Sequence, residues 1–170
     1  YALTENSVLK NGDVIETLNG ALVELSFEDN KLSLHENSEA VFTIDDRGLR
    51  AELSRGEAFL CAKKAFRLCV VNQEIEGEAA TLSLSAQSGS ASLYLLGGQA
   101  SVHGQSFSPG TALSLLQDGV HESTLVAKAL NEFTLENAKT ANESMVLCFT
   151  NDELENVLKE RRAEIDMAIK

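Results

Sequence analysis

The chain is poor in the residues that most often mark a special chemistry or an unusual fold. Among its 170 residues it has no Trp, three Cys and one Pro, and aromatic residues make up only 5%. We therefore expect a core built mainly from Leu, Val, Ala and a few Phe. A single Pro and the lack of low-complexity tracts argue against disorder away from the ends. The hydrophobic content of 44% can form a core, and the length suits one domain.

Basic residues are also in deficit. Fourteen Lys and Arg stand against 26 Asp and Glu, which gives a formal net charge of −12. Such a surface repels phosphate backbones and anionic lipid headgroups, and binding to either depends on clustered basic side chains. No apolar run is long enough to span a bilayer. We therefore expect neither nucleic-acid binding nor membrane insertion. Because the chain begins with Tyr1 rather than Met, we also expect that a signal or anchor segment has been removed.

The side chains that could carry chemistry are scattered. The cysteines and histidines include no CxxC pair and no His pair at ligand spacing: Cys61, Cys69, Cys148, His35, His103 and His121. Three buried thiols fit this odd set better than one disulfide and a free thiol, but both remain open. No Gly-x-Ser-x-Gly elbow is present, and Gly97-Gly98 lacks the context of a phosphate loop. We predict that the protein is not an enzyme, with no catalytic residue, metal ligand or cofactor.

Short segments with period-two alternation fill most of the chain. Turn signals such as Asn11-Gly12, Arg55-Gly56 and Gly97-Gly98 separate them at intervals of about ten residues. This spacing predicts an all-β fold, an antiparallel β-roll or sandwich of about a dozen short strands with a C-terminal α-helix. Each strand has one apolar face, and the phase turns Cys69 outward. The expected core residues are Val23, Leu25, Phe27, Phe42, Phe59, Phe66 and Leu68.

The pattern changes near residue 120, so we divide the chain into a β domain at residues 1–125 and an extension at residues 126–170. Residues 130–138 suit a short helix, and the apolar run 145–149 suits a brief strand. Thr150 and Glu153 form a capping box that opens a helix at residues 152–169.

The apolar stripe of this helix must be covered, because a helix of this length draws its stability from packing. Docking on the β domain is the favoured interpretation, and contact with a second chain is the alternative. In the alternative, this stripe is a candidate partner surface. Its residues are apolar apart from one charged Arg: Leu154, Val157, Leu158, Arg161 and Ile165.

Several segments, in order, resemble the FecR-like family of the ferric-citrate regulator type. They are residues 9–17 (LKNGDVIET), 23–34 (VELSFEDNKLSL), 53–59 (LSRGEAF), 96–102 (LGGQASV) and 108–110 (SPG), and the resemblance covers roughly residues 8–116. It implies an all-β domain outside the cytoplasm, in the periplasm or cell envelope, with a non-enzymatic role. The resulting hypothesis is a binding or signal-relay domain of the bacterial cell envelope that contacts a protein partner. The alternative is a structural envelope scaffold or a cell-wall-associated protein.

Overall fold

The computed structural model describes the backbone of residues 7–169 and the side chains of residues 7–164. Eleven strands precede the helices: β1 (Val14–Glu16), β2 (Val23–Phe27), β3 (Asn30–Leu34), β4 (Glu39–Asp45), β5 (Gly48–Ala62), β6 (Phe66–Val70), β7 (Gln73–Gln87), β8 (Ser90–Val102), β9 (Gln105–Phe107), β10 (Thr111–Leu116) and β11 (Gly119–Thr124). A 3₁₀ turn (Ala127–Ala129) leads to helix α1 (Glu132–Ala141) and helix α2 (Asn151–Ile169). The predicted all-β fold with a C-terminal helix is confirmed, and α1 is a second, well-formed helix.

The long strands take part in two layers of a sandwich. The first half of β5 pairs with β4 and β6, and its second half pairs with β3 and β7. In the same way β7 pairs first with β6 and then with β5, while β8 follows it along its length. All these pairings are antiparallel except β5 with β6. A strand that changes neighbours along its length bends the sheet over itself, and this encloses the core.

Two predicted turns are wrong, because they lie inside strands. Gly56 is within β5 at φ 89°, and Gly98 is within β8 at φ 71°. Register shifts in the facing ladders accompany both glycines. A positive φ at one residue bends a strand at a bulge without ending it. The short strands expected on either side therefore join into β5 and β8, which have 15 and 13 residues.

The main core lies between the two layers and contains Phe42, Phe66 and Leu68, as predicted. The prediction that the inward side chains of β2 are fully buried in the core is wrong. They pack against the core but are only half-buried: Val23, Leu25 and Phe27. Within the described residues β2 has one neighbour in the sheet, β3, so its inward face is covered from one side. The position of a strand within a sheet therefore limits how deeply its apolar face is buried.

A second apolar cluster lies on the outer face of the sheet, under the C-terminal part of the chain. Phe59 and Leu96 from the strands meet Leu130, Leu135 and Leu154 there. The predicted strand at residues 145–149 is wrong: this segment is an irregular loop, tied to the sheet by a 2.7 Å bond from the Cys148 N–H to the carbonyl oxygen of Leu96. Strands end at residue 124 and helices follow. The division into a β domain at residues 1–125 and an extension at residues 126–170 stays a prediction.

Candidate partner surface

Helix α2 begins at the predicted capping box. The Glu153 N–H donates to Thr150 Oγ1 at 3.2 Å, and the Thr150 N–H donates to Glu153 Oε1 at 3.2 Å. Each side chain thus satisfies a backbone donor that the first helical turn leaves free. Asp152 and Glu153 place negative charge in this first turn, where it is favoured by the helix dipole. The start of α2 is therefore determined locally, by four consecutive residues.

The predicted partner surface on α2 is largely covered by its own chain. Leu154, Val157 and Leu158 are 0%, 8% and 1% exposed and belong to the second apolar cluster. Arg161 is half-exposed and donates from Nη2 to the carbonyl oxygen of Lys128 at 2.6 Å. Ile165 lies outside the residues whose side chains are described. The apolar anchors of α2 share this cluster with α1, and the elements next to α2 are α1 and the 3₁₀ turn. A role for this stripe in contacting another chain stays a prediction.

Polar and aromatic contacts, in addition to the second apolar cluster, join α1 to the sheet. Ser83 Oγ and Thr134 Oγ1 share a buried hydrogen bond of 3.0 Å, and Asn131 Nδ2 donates to Glu57 Oε2 at 2.6 Å. The His35 ring stacks on Phe133 with ring centroids 4.5 Å apart. Helix α1 thus covers the His35 side chain in part and leaves it half-buried. These contacts fix which face of α1 meets the strands, a choice that its weak apolar pattern leaves open.

Ion pairs join the two helices to each other. Lys139 Nζ lies 2.5 Å from Glu155 Oε2, and Arg162 Nη2 lies 3.0 Å from Glu136 Oε1. The hydrogen bond from Lys139 lowers the pKa of Glu155, and the same bond raises the pKa of Lys139. Both pairs reach solvent, so each contributes little to the free energy of unfolding. They set the orientation of α2 relative to α1 but add little to the stability of the contact between the two helices.

A buried cation connects the β4–β5 and β6–β7 hairpins. Arg67, whose side chain is 9% exposed, donates from Nη2 to Asp45 Oδ1 at 2.5 Å and to the Gly48 carbonyl oxygen at 2.9 Å. Glu74 Oε1 lies 4.0 Å from Arg67 Nη1, and neither that oxygen nor Arg67 Nε has a hydrogen-bond partner in the described part of the chain. The Arg67 hydrogen bond holds the pKa of Asp45 below its ordinary value, with help from the Arg47 N–H. This arrangement locks two hairpins together and includes no nucleophile.

The three cysteines are free thiols. The prediction that Cys69 faces outward is wrong, since only 4% of it is exposed. Desolvation raises the pKa of the Cys69 thiol and also that of the Cys148 thiol. A raised pKa keeps a thiol protonated and unreactive near neutral pH. The geometry of these two residues suits packing, not nucleophilic chemistry.

No group of three or more His, Cys, Asp or Glu side chains in the described part of the chain is placed to hold a metal ion. His103 Nε2 instead contacts Gln73 Oε1 in the turn between β8 and β9, and His121 is exposed on β11. Among residues 7–169, no helix has the length and apolar character needed to cross a bilayer.

Comparison with known proteins identifies a shared fold. No protein-family model matches the chain, and no curated protein matches its sequence. The structure is similar to two crystal structures of candidate anti-sigma factors from Parabacteroides distasonis. One has a TM-score of 0.59 at 11% identity and covers 74% of this chain and 64% of its own. The other has a TM-score of 0.56 at 10% identity and covers 89% and 91%.

The chain thus spans less than two thirds of the first of these structures and most of the second. At such low identity the likeness shows a common fold and nothing further. The resemblance of residues 8–116 to FecR-like domains has no matching family model and stays a hypothesis. The chain has the fold of these candidate anti-sigma factors.

Proposed function

We propose that this protein is a non-enzymatic signal-relay domain of the bacterial cell envelope, related to FecR-like domains, that acts by contacting a protein partner. The observation that carries the proposal is the fold: a second structure, a candidate anti-sigma factor, shares it over 89% of this chain and 91% of its own. The segments that resemble FecR-like domains occur along the β-body in the order that they have in that family. Two independent similarities, one in structure and one in sequence motifs, therefore favour the same class of regulatory protein.

The site geometry supports a binding role in preference to catalysis. The buried polar groups join elements of the fold: Arg67 joins two hairpins, and the Ser83–Thr134 pair joins α1 to the sheet. The thiols of Cys69 and Cys148 have raised pKa values. A relay domain needs instead a rigid body with an accessible contact surface. The long strands and the docked helices provide such a body.

Location outside the cytoplasm is the first testable part of the proposal. Alkaline phosphatase folds to its active form only in an oxidising compartment, so its fusion to the carboxyl end of the natural gene product reports location. We expect phosphatase activity in the source cell and in a bacterial host. An inactive phosphatase fusion, with a matched green fluorescent protein fusion that is bright, would place the domain in the cytoplasm and reject this part.

Signal relay is the second part, and gene deletion tests it. We expect that loss of the gene changes transcription of a limited set of genes that depend on one alternative sigma factor. Complementation by the intact gene should restore the pattern. A transcript profile that does not change, together with altered cell shape or detergent sensitivity, would favour an envelope scaffold and contradict the relay.

A further inference from the structure

We propose that an open seam between strands β1 and β2 binds an extended segment of a partner protein, with alternating apolar and basic residues, as an added strand. The seam is the groove between the free edges of these two strands, and it is lined by residues 7–10, 13–18 and 21–28 and by Phe42, Ile44, Gly48 and Leu49. The proposal rests on the proposed function for the existence of a protein partner, and it names the surface and the chemistry of the contact.

The free edge of β2 provides unused backbone groups. Within the described residues β2 pairs only with β3, through a two-residue turn at Glu28 and Asp29 with φ of 49° and 69°. In such a hairpin the flanking residues Phe27 and Asn30 exchange both backbone hydrogen bonds. The alternation then turns the N–H and C=O groups of Glu24 and Ser26 away from β3. Two donors and two acceptors therefore face the seam at the spacing of an incoming strand.

The seam is also apolar. Its floor is the half-buried face of β2, and Leu9 lines both of its cavities, which measure about 650 and 730 Å³. Large side chains on its walls are more than half exposed: Val14 56%, Leu18 68%, Leu22 65% and Ile44 51%. Single exposed apolar residues are common, but a group in one groove marks an interaction site. Alternate side chains of an added strand would enter the groove and cover these residues.

The charge around the seam selects the partner. Four acidic residues and one basic residue line it: Asp13, Glu16, Glu24, Glu28 and Lys10. Glu16 pairs with Arg55 at 3.1 Å and Glu24 with Lys31 at 3.8 Å, whereas Asp13 and Glu28 have no ion pair among the described residues. A segment with Lys or Arg at its outward positions complements this rim. A second copy of the chain is disfavoured, because each copy carries a net charge of −12.

Ser26 offers a sharp test, because it is exposed and its N–H points into the seam and not to β3. Ser26→Pro removes that donor and is tolerated at a strand edge. Ser26→Ala is the matched control, since it removes the hydroxyl and keeps the N–H. The probe is a synthetic peptide of alternating Val and Lys, about seven residues long, enough to span β2. Its control is an isomer with all Lys before all Val, which has the same charge without the alternation.

We expect calorimetric binding of the alternating peptide to the full chain and to Ser26→Ala. Ser26→Pro should bind about tenfold or more weakly, with an unchanged melting temperature. Equal affinity for the two peptides, or for wild type and Ser26→Pro, would overturn the proposal. Binding that appears only after removal of residues 1–6 would assign the seam to the chain's own amino-terminal residues. A dimer that Ser26→Pro dissolves would assign it to a second copy.

The same variants in the source cell separate this proposal from the proposed function. If deletion of the gene alters transcription and Ser26→Pro restores it as fully as Ser26→Ala, the relay stands and the seam is not its contact surface. If deletion has no effect, the proposed function fails, whatever the peptide binds. If Ser26→Pro reproduces the deletion while Ser26→Ala complements it, both proposals hold.

Discussion

Two glycines with nearly the same φ should differ greatly in their tolerance of a methyl group. Gly98, at φ 71° in β8, would place a Cβ 2.1 Å from the Ala79 carbonyl oxygen and 2.8 Å from the Ala80 Cα. Gly104, at φ 79° in the turn between β8 and β9, has nothing within 4 Å of that position. Gly98→Ala and Gly104→Ala therefore share the strain of a positive φ, and only Gly98→Ala adds a clash with backbone.

The shared strain is small. A left-handed conformation costs a non-glycine residue about 1–2 kcal/mol. Ala also has less conformational entropy than Gly in the unfolded chain, and this offsets about 0.4–1 kcal/mol of the strain. Gly104→Ala should therefore lower the free energy of unfolding by about 1 kcal/mol.

In Gly98→Ala, the contact between the new Cβ and the Ala79 carbonyl oxygen can be relieved only if one strand moves. Relief of a 2.1 Å contact requires β7 and β8 to separate locally, since the opposing atom is a carbonyl oxygen that has no side-chain rotation available. Buried ladder hydrogen bonds beside the bulge would be lost, at about 1–3 kcal/mol for each group left unsatisfied. We expect Gly98→Ala to lower the free energy of unfolding by about 3–5 kcal/mol.

Urea unfolding followed by far-ultraviolet circular dichroism measures both values, because the chain has no Trp for fluorescence. In thermal melts the transition should fall by about 6–20 °C for Gly98→Ala and by about 2–4 °C for Gly104→Ala. If the two variants agree within about 1 kcal/mol, β7 does not approach β8 closely at this bulge, and the reasoning is refuted.

Three further predictions follow from buried polar groups and thiols. Thr134→Val should cost about 1–3 kcal/mol in urea unfolding, because the Ser83 hydroxyl loses its partner; adding Ser83→Ala should recover part of this, and no recovery would contradict the pairing. Arg67 lowers the pKa of Asp45 in the folded state, so wild type should have a higher free energy of unfolding than Asp45→Asn at pH 7, and this difference should shrink as the pH falls below about 4. A difference that stays constant with pH would refute this. Cys69 should react with iodoacetamide at pH 8 only after unfolding, by mass spectrometry of its peptide, and rapid labelling of the native protein would show that it is not buried.

Local patterns in the sequence were sufficient for the features whose causes are local. The capping box needs only Thr150 and Glu153, three residues apart, and α2 begins beside it. The turn at Asn11-Gly12 depends on a residue that accepts a positive φ, and Gly12 has a φ of 86°. Period-two alternation indicated the all-β class and placed Phe42 in the core.

Glycine shows where local signals become ambiguous. Gly56 and Gly98 have positive φ values like those of the turn glycines, yet they bend strands in place of ending them. The difference lies in what stands opposite. Ser38 would lie 2.1 Å from a Cβ at Gly56, and Ala79 is equally close at Gly98, whereas nothing lies near Gly12. These neighbours are distant in sequence or belong to another strand, so no local pattern distinguishes a bulge from a hairpin turn.

The sequence by itself determined the fold class, the turn at Asn11-Gly12 and the start of the last helix, because each depends on a few neighbouring residues. Tertiary structure alone decided which faces are covered. Alternation shows that two faces differ, but contacts between distant segments bury Phe59 under the helices, enclose Cys69 and leave β2 at an edge. The seam follows from the same cause, since a free strand edge is a property of how the strands are ordered in the sheet.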